Sequence, residues 1–441
     1  MLIMYLVTNN KFRGGKMIET EVEVTTVENE FYSPMFRALE KAEGRRECPE
    51  FTDEHFLKSG IGRCLNDVRS GRDWIQKAMM ILRLAITVGR FFTSLKSQRR
   101  LGLTQNVAAA VRREADETAP AKDDPFAEHS ELYGIAIYAS DGHFHGSSAH
   151  DERIDNTCQP VGHFFGMNLR TQTMVHLDVA RPKVKRENDI TALKRLEGNA
   201  LRMGEPKGRK VVIAYDPAIY DFVQWYNWKQ SKRIYIITPM KENTCLQIID
   251  DLAFDREDPR NAGIVSDEVG VTKSGHKLRK IVYIEPATGK KFVFLTNEMT
   301  LPPGLITFIY KKRWDIEKVF DQFKSKLMEI KAWAKSLNAK CIQAQFMALA
   351  HNLALMLERK LELEEGISDT KIEKQRTRRI QKDLVKIKES GRKENPLVIR
   401  HYKHVQRSFQ FIRWLRVVLL VKTPWKQAIE ALRPLMTKYL S

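Results

Sequence analysis

The order of elements between residues 133 and 238 constrains this chain more than any other feature. Tyr133-Gly-Ile-Ala-Ile-Tyr138 reads as a strand, and His163 to Met167 pairs with Thr173 to Val179 as a hairpin. Ile190 to Met203 carries a helical pattern. Lys210-Val-Val-Ile-Ala-Tyr215 is a β run that stops at Asp216. A short helix over Ile219 to Trp228 and a strand over Arg233 to Thr238 follow. Three strands, then helix, strand, helix and strand predict an α/β layer.

The flanks have other periods. Residues 1–125 read as a helical N-terminal region after a polar start. Ser70 is placed to cap a helix through Asp73-Trp74-Ile75 and on to Leu101, with Ile75, Met79, Ile81, Leu82, Leu84 and Ile86 at helical spacing. That helix finishes in a basic stretch with Lys96, Arg99 and Arg100. The acidic, proline-bearing residues 114–125 read as a linker, which puts a domain boundary at 125. A second domain then spans 126–365. Within it, a β-rich insertion occupies about 245–300, where Ile281 to Ile284 and Lys291 to Leu295 flank a turn as a hairpin. Two long helices follow, at 303–333 and 337–365. Residues 366–441 form a basic helical C-terminal region, first a charged run with Arg376, Arg378, Arg379, Lys382, Lys386 and Lys388. A last helical segment over 396–440 carries Phe409, Ile412, Trp414 and Leu415.

With 74 Lys and Arg against 55 Asp and Glu, the formal net charge is +19. Such a chain attracts polyanions, nucleic acid first among them. The five cysteines (Cys48, Cys64, Cys158, Cys245, Cys341) stand singly with no C-x-x-C pair, which suggests neither a zinc site nor a disulfide framework. The opening MLIMYLV run is too short for a signal peptide, and no segment is long and apolar enough to span a bilayer.

Two carboxylates draw notice. Asp141 follows the first strand, and Asp216 ends the later apolar one. Ligands bind α/β folds at strand ends along one edge, and carboxylates from neighbouring ends can share a hard divalent cation. An Asp after a strand is also a common turn former. A third group separates these readings. Tyr310, Arg313, Glu317 and Lys324 are spaced so that, at about 100° per residue, all four fall within an arc of roughly 60°. Ile309, Ile316, Val319, Phe320, Phe323, Leu327 and Ile330 occupy an adjoining arc. The helix therefore buries one face and presents a stripe holding a single acid among bases. Along the axis Tyr310 and Lys324 each lie roughly 10 Å from Glu317. The four cannot all coordinate one metal; only Glu317 needs to reach it, and the others can track phosphates on either side.

The stripe resembles the Tyr-x2-Arg-x3-Glu-x6-Lys signature of bacterial insertion-sequence transposases of the IS-four group. The two aspartates, the β-rich stretch and Phe294-Leu-Thr-Asn297 stand in the same order as in that group. The resemblance spans about residues 130–360 and implies an RNase H-like catalytic domain with a β-rich insertion. Asp141, Asp216 and Glu317 are then catalytic residues holding two Mg²⁺ ions, with Mn²⁺ as a substitute. Tyr310, Arg313, Lys324 and Trp314 are DNA-binding, and excision runs through hairpin ends. It further implies a homodimer on paired DNA ends, acting on terminal inverted repeats and target DNA in a cytoplasmic, nucleoid-associated bacterial setting. Residues 1–125 are expected to read the repeats.

Two departures stand out. Pro217-Ala-Ile-Tyr220-Asp221 replaces the Arg and Glu that some relatives carry after the second Asp, and no Trp lies in the β insertion. His143 and His145, beside Asp141, are expected to be outer-sphere or exposed rather than ligands. Two rival classes remain: a metal-dependent nuclease, and a non-catalytic DNA-binding protein derived from a transposase.

Overall fold

Ala136–His145 forms the longest strand, β1, in the computed structural model, which describes residues 25–437 except 49, 69, 83–85, 155, 182–186, 188, 197–199 and 398–404. β1 pairs antiparallel with β4 (Val161–Asn168) out to His145, and β4 pairs with β5 (Met174–Val179) as the expected hairpin. Between β1 and β4, β2 (Arg153–Ile154) and β3 (Thr157–Cys158) make a small separate ribbon. On its other side β1 pairs in parallel with β6 (Val211–Ala214), and β6 with β7 (Ile234–Pro239). The four residues of β6 are all buried, as expected of a parallel strand covered on both faces.

The β-rich stretch continues this sheet edge to edge. β7 takes β11 (Lys291–Thr296), then come β10 (Lys277–Ile284), β9 (Ile264–Val271) and β8 (Gln247–Asp251). Among the described residues nine strands thus share one sheet, in the order β5-β4-β1-β6-β7-β11-β10-β9-β8.

Helices cover both faces. Behind, α6 (Asp189–Lys194) and α7 (Phe222–Lys232) bring Leu193, Trp225 and Trp228 against Tyr138, Val211, Ile213 and Ile236. In front lie α5 (Gln98–Glu117), α8 (Pro303–Lys312), α9 (Trp314–Ser325) and α10 (Leu337–Glu365). Helix α10 is buried along most of its length, so its polar residues need partners. Asn352 accepts from the backbone N–H of Met174 (2.8 Å) and donates to its carbonyl (3.0 Å), satisfying the outer edge of β5.

A single apolar cluster joins this front layer to α1 (Val27–Glu40), α2 (Asp53–Leu65), α12 (Phe409–Leu420) and α13 (Trp425–Thr437). Phe31, Ile61, Phe346, Leu415 and Leu432 all belong to it, so the apolar interior is continuous across residue 125. At Gly60 of α2 the backbone meets Phe346 of α10; a Cβ there would lie 2.1 Å from the ring.

Several elements are shorter than the periodicity predicts. Ser70 does cap a helix, accepting from Asp73 N (3.0 Å), but that helix, α3 (Gly71–Leu82), stops well short of Leu101. Separate caps at Thr87 and Ser97 then start α4 (Val88–Ser94) and α5, with Leu84 outside the described residues. Helix α5 runs through the expected linker to Glu117, and Ala121–Asp123 makes a 3₁₀ turn. Arg99 grips Asp53 with both arms (2.7 and 2.8 Å), and buried Arg100 donates to Phe51 O, so two of the three bases in that stretch serve packing. The charged run forms α11 (Thr370–Glu389), exposed apart from Ile387 and a few half-buried positions.

Candidate active site

Asp141 does not follow the first strand, as expected from sequence, but lies inside it. Toward β4 it is paired, opposite Phe165. Toward β6 the ladder stops at Ala139–Ala214, because Pro217, which has no N–H, turns the chain away just beyond. Counting on from that last pair, Asp141 and Asp216 reach the same level of neighbouring strands. Asp141 is thus mid-strand on one side and at an open strand end on the other. Asp216 also caps the turn at Pro217–Ile219, accepting from Ala218 N (2.9 Å), so its turn-forming role is real.

Burial pushes the Asp141 carboxyl up to about 7; the charges of Asp216 and Asp189 add to this, while Arg313 and the Gly142 N–H oppose it. Arg313 is buried and two-armed. One Nη lies 3.2 Å from Asp141 Oδ2 and the other 2.8 Å from Glu317 Oε1. It therefore ties β1 to the helix carrying the third acid. The predicted continuous helix is interrupted here: Arg313 N bonds Tyr310 O (3.0 Å) and Ile316 N bonds Arg313 O (3.1 Å). These are i to i+3 bonds, a tightened turn between α8 and α9. The dihedrals of Arg313 stay helical, which keeps Arg313 and Glu317 one turn apart on one side. Glu317 sits in the first turn of α9 with its side chain 37% exposed, at the positive end of the helix dipole.

Tyr310 is buried, packed on Phe294 (4.9 Å between centroids) and 5.5 Å from the Arg313 guanidinium. Burial raises its hydroxyl; Arg313 opposes this, and the charges of Asp216 and Glu317 add to it. Trp314 is 54% exposed, with Arg313 5.0 Å over its ring. Beside it opens a cavity of about 450 Å³ lined by Phe292, Phe294, Tyr310, Lys311, Trp314 and Lys318, among others. Lys324 is exposed in the last turn of α9, roughly 10 Å along the axis from Glu317. Asp141, Asp216, Glu317, Arg313 and Tyr310 are thus brought together; Trp314 flanks them and Lys324 stands apart on the same helix.

Tyr220 and Asp221, in the segment after the second Asp that departs from the expected pattern, have structural work. The Tyr220 hydroxyl donates to Pro239 O (2.5 Å) and accepts from Lys241 N (2.8 Å). Asp221 caps α7 and pairs with Lys194.

Two features were not legible in the sequence. Asp189, the first residue of α6, is buried, accepts from the Tyr215 hydroxyl (2.9 Å) and adds its charge at Asp141. The other feature is a buried histidine cluster. His143 and His145 are not exposed: they lie on the same face of β1 as Asp141, deeper along the strand. His143 Nε2 bonds Glu329 Oε2 (2.6 Å), and its ring stacks on Phe320 at 4.6 Å. His145 Nε2 faces His163 Nε2 (2.9 Å), and His163 Nδ1 faces His176 Nε2 (3.3 Å). Burial holds the imidazoles of His145 and His163 below the usual range and that of His176 down to about 4. Burial opposes ionisation of Glu329, but its bond to His143 and the neighbouring imidazoles hold its carboxyl low. Sheet register brings the cluster together: His143 and His163 are partners across β1 and β4.

Residues 145–353 match the family described as the transposase DDE domain, a stretch that includes Asp216 and Glu317 and begins just after Asp141. No curated protein matches the chain. The family match supports a DDE transposase, a class of enzyme that uses divalent metals and binds DNA. Among the described residues no helix is long and apolar enough to cross a membrane.

Proposed function

We propose that this chain is a DNA transposase that cuts and joins DNA ends by in-line phosphoryl transfer, with Asp141, Asp216 and Glu317 holding two Mg²⁺ ions. The observation that carries the reading is that Arg313 ties Asp141 to Glu317, while strand register brings Asp216 to the level of Asp141 on the neighbouring strand. The donor set fits hard divalent cations: all ligands are carboxylate oxygens. Asp141 is pushed up to about 7 by burial, with Asp216 adding to the rise, a repulsion that a cation would relieve. When bound, such ions supply an activated oxygen nucleophile and stabilisation of the leaving oxygen; Mn²⁺ takes the same ligands.

The chain's own residues do the rest. Arg313 orients Asp141 and Glu317 and keeps its other contacts with Tyr310 and Trp314. Exposed Trp314, with the aromatic and basic cavity beside it, offers a face for an unstacked base, in keeping with excision through hairpin ends. Lys324 meets backbone phosphate one to two turns further along. The run β5-β4-β1-β6-β7, antiparallel through β1 and parallel after it, supports an RNase H-like core. Residues 1–125 read the terminal inverted repeats, 126–365 form the catalytic domain and 366–441 a basic helical region. Two copies act on paired ends.

Joining distinguishes this reading from its rivals. The full-length protein is given a duplex ending in the element's inverted repeat, a supercoiled target and Mg²⁺. Covalent joining of the cut 3′ end to target is the expected result. Cutting without joining would favour a metal-dependent nuclease, and binding without cutting an inactive DNA-binding descendant.

A further inference from the structure

We propose that His145, His163 and Glu329 form a second metal site, distinct from the carboxylate site, that takes one Zn²⁺ ion and fastens the end of α9 to the sheet. The three residues are buried, and one ligand atom from each lies within 4.8 Å of the others. His145 Nε2 is 3.7 Å from Glu329 Oε1 and 2.9 Å from His163 Nε2. A tetrahedral ion with bonds of about 2.0–2.1 Å sets its ligand atoms roughly 3.3 Å apart; the two sides at His145 lie within a few tenths of an ångström of that spacing, and the third is no longer than 4.8 Å.

An independent observation points into this triangle. Glu329 Oε1 is fully buried yet has no hydrogen-bond partner, while its other oxygen is held by His143. A buried carboxylate oxygen left unpaired is costly, and a cation between it and the two imidazoles removes that cost.

The second hydrogen bonds of each ligand suit the role. His145 Nδ1 lies 2.9 Å from Gly146 O, and a carbonyl only accepts, so Nδ1 carries the proton and Nε2 presents a lone pair. Donation of the far N–H to a backbone carbonyl is how metal-binding imidazoles are commonly oriented. His163 Nδ1 faces His176, whose Nδ1 faces the Gln345 amide (3.4 Å). That chain runs in either direction once the amide is turned, so His163 Nε2 is freed for a metal without stranding a donor. Two imidazoles and one carboxylate favour Zn²⁺ over Mg²⁺, with water as fourth ligand.

The site lies roughly 13 Å along β1 from Asp141, too far to share its ions. Its members come from β1, β4 and the segment after α9. That segment is already laced to the end of β1 by Gly146 N to Ile330 O (3.1 Å) and Ala332 N to Gly146 O (2.8 Å). The metal is therefore a positioning device for the helix that carries Glu317, and it stands whether or not the carboxylates act on DNA.

The test uses full-length protein with Asp141→Asn, Asp216→Asn and Glu317→Gln together, which silences the carboxylate site. It is stripped with chelator and titrated with Zn²⁺ and, separately, Co²⁺. The metal-free cluster retains its hydrogen bonds, so the stripped protein stays folded by circular dichroism. Expected are about one ion per chain, the visible absorption of a tetrahedral Co²⁺ site and a higher melting temperature with Zn²⁺. Adding Glu329→Gln, which keeps the side-chain shape, or His163→Gln should abolish all three. A folded, stripped protein that binds no stoichiometric Zn²⁺, or one whose binding survives both substitutions, overturns the proposal.

Discussion

Replacing Asp141 by Asn removes a carboxyl whose ionisation the fold resists. Burial lifts it from 3.8 to about 7, with the attraction of Arg313 already included. Its side chain is only 16% exposed, so little solvent screening offsets the shift. The folded protein thus holds this proton more tightly than the unfolded chain. The resulting contribution to stability is fully present below 3.8 and is lost as pH rises through 7. Between those values the slope is about 1.4 kcal/mol per pH unit, and the total about 4 kcal/mol. Asn mimics the neutral acid and carries no such slope. Without metal, the variant should equal the native protein near pH 4 and exceed it by up to about 4 kcal/mol near pH 8. Guanidinium unfolding followed by tryptophan fluorescence in chelator, at several pH values, measures the difference. Mg²⁺ should narrow the gap by stabilising only the native protein. Parallel pH profiles for the two proteins would show that Asp141 ionises freely, and would refute the resistance to ionisation that burial, with Asp216 and Asp189, imposes on it.

Other outcomes follow from single side chains. Arg313→Lys keeps a charge but cannot span Asp141 and Glu317, so single-turnover cleavage should fall about 100-fold while end binding by gel shift is little changed. Gly60→Ala drives a Cβ into the Phe346 ring and should cost about 1–3 kcal/mol in thermal unfolding. Gly102→Ala, in α5 with open space around it, should instead be neutral or stabilising by about 1 kcal/mol. Reversing Lys374, Lys382 and Lys386 on exposed α11 should reduce the slope of log affinity against log salt by about 0.9 for each phosphate that is no longer neutralised. An unchanged slope would remove α11 from the DNA interface.

How much was readable beforehand depended on the range of the interaction. Local patterns carried the strands: the alternation around Ile281 and Phe294 and the apolar run at Val211–Ala214 appear as expected. The spacing of Arg313 and Glu317 placed them on one side of a helix because i, i+4 geometry survives even across the tightened turn. Helix ends were poorly read where a cap competed with an unbroken apolar period, as at Thr87 and Ser97. Which edge of β1 stays open at Asp141 depends on where β6 leaves the sheet, a tertiary fact with no local signal. The same holds for the histidine cluster. Its members lie on three strands and a loop, with His145 and Glu329 far apart in sequence, and only sheet register brings them together.

The central claim is tested most directly by Mg²⁺-dependent cleavage of a duplex ending in the element's own inverted repeat, comparing native protein with Glu317→Gln. The account predicts hairpin-ended products from the native protein, none from the variant, and equal binding of the ends by both. Equal cutting by the two would contradict it, making Glu317 a structural partner of Arg313 and leaving the carboxylate site without its third ligand.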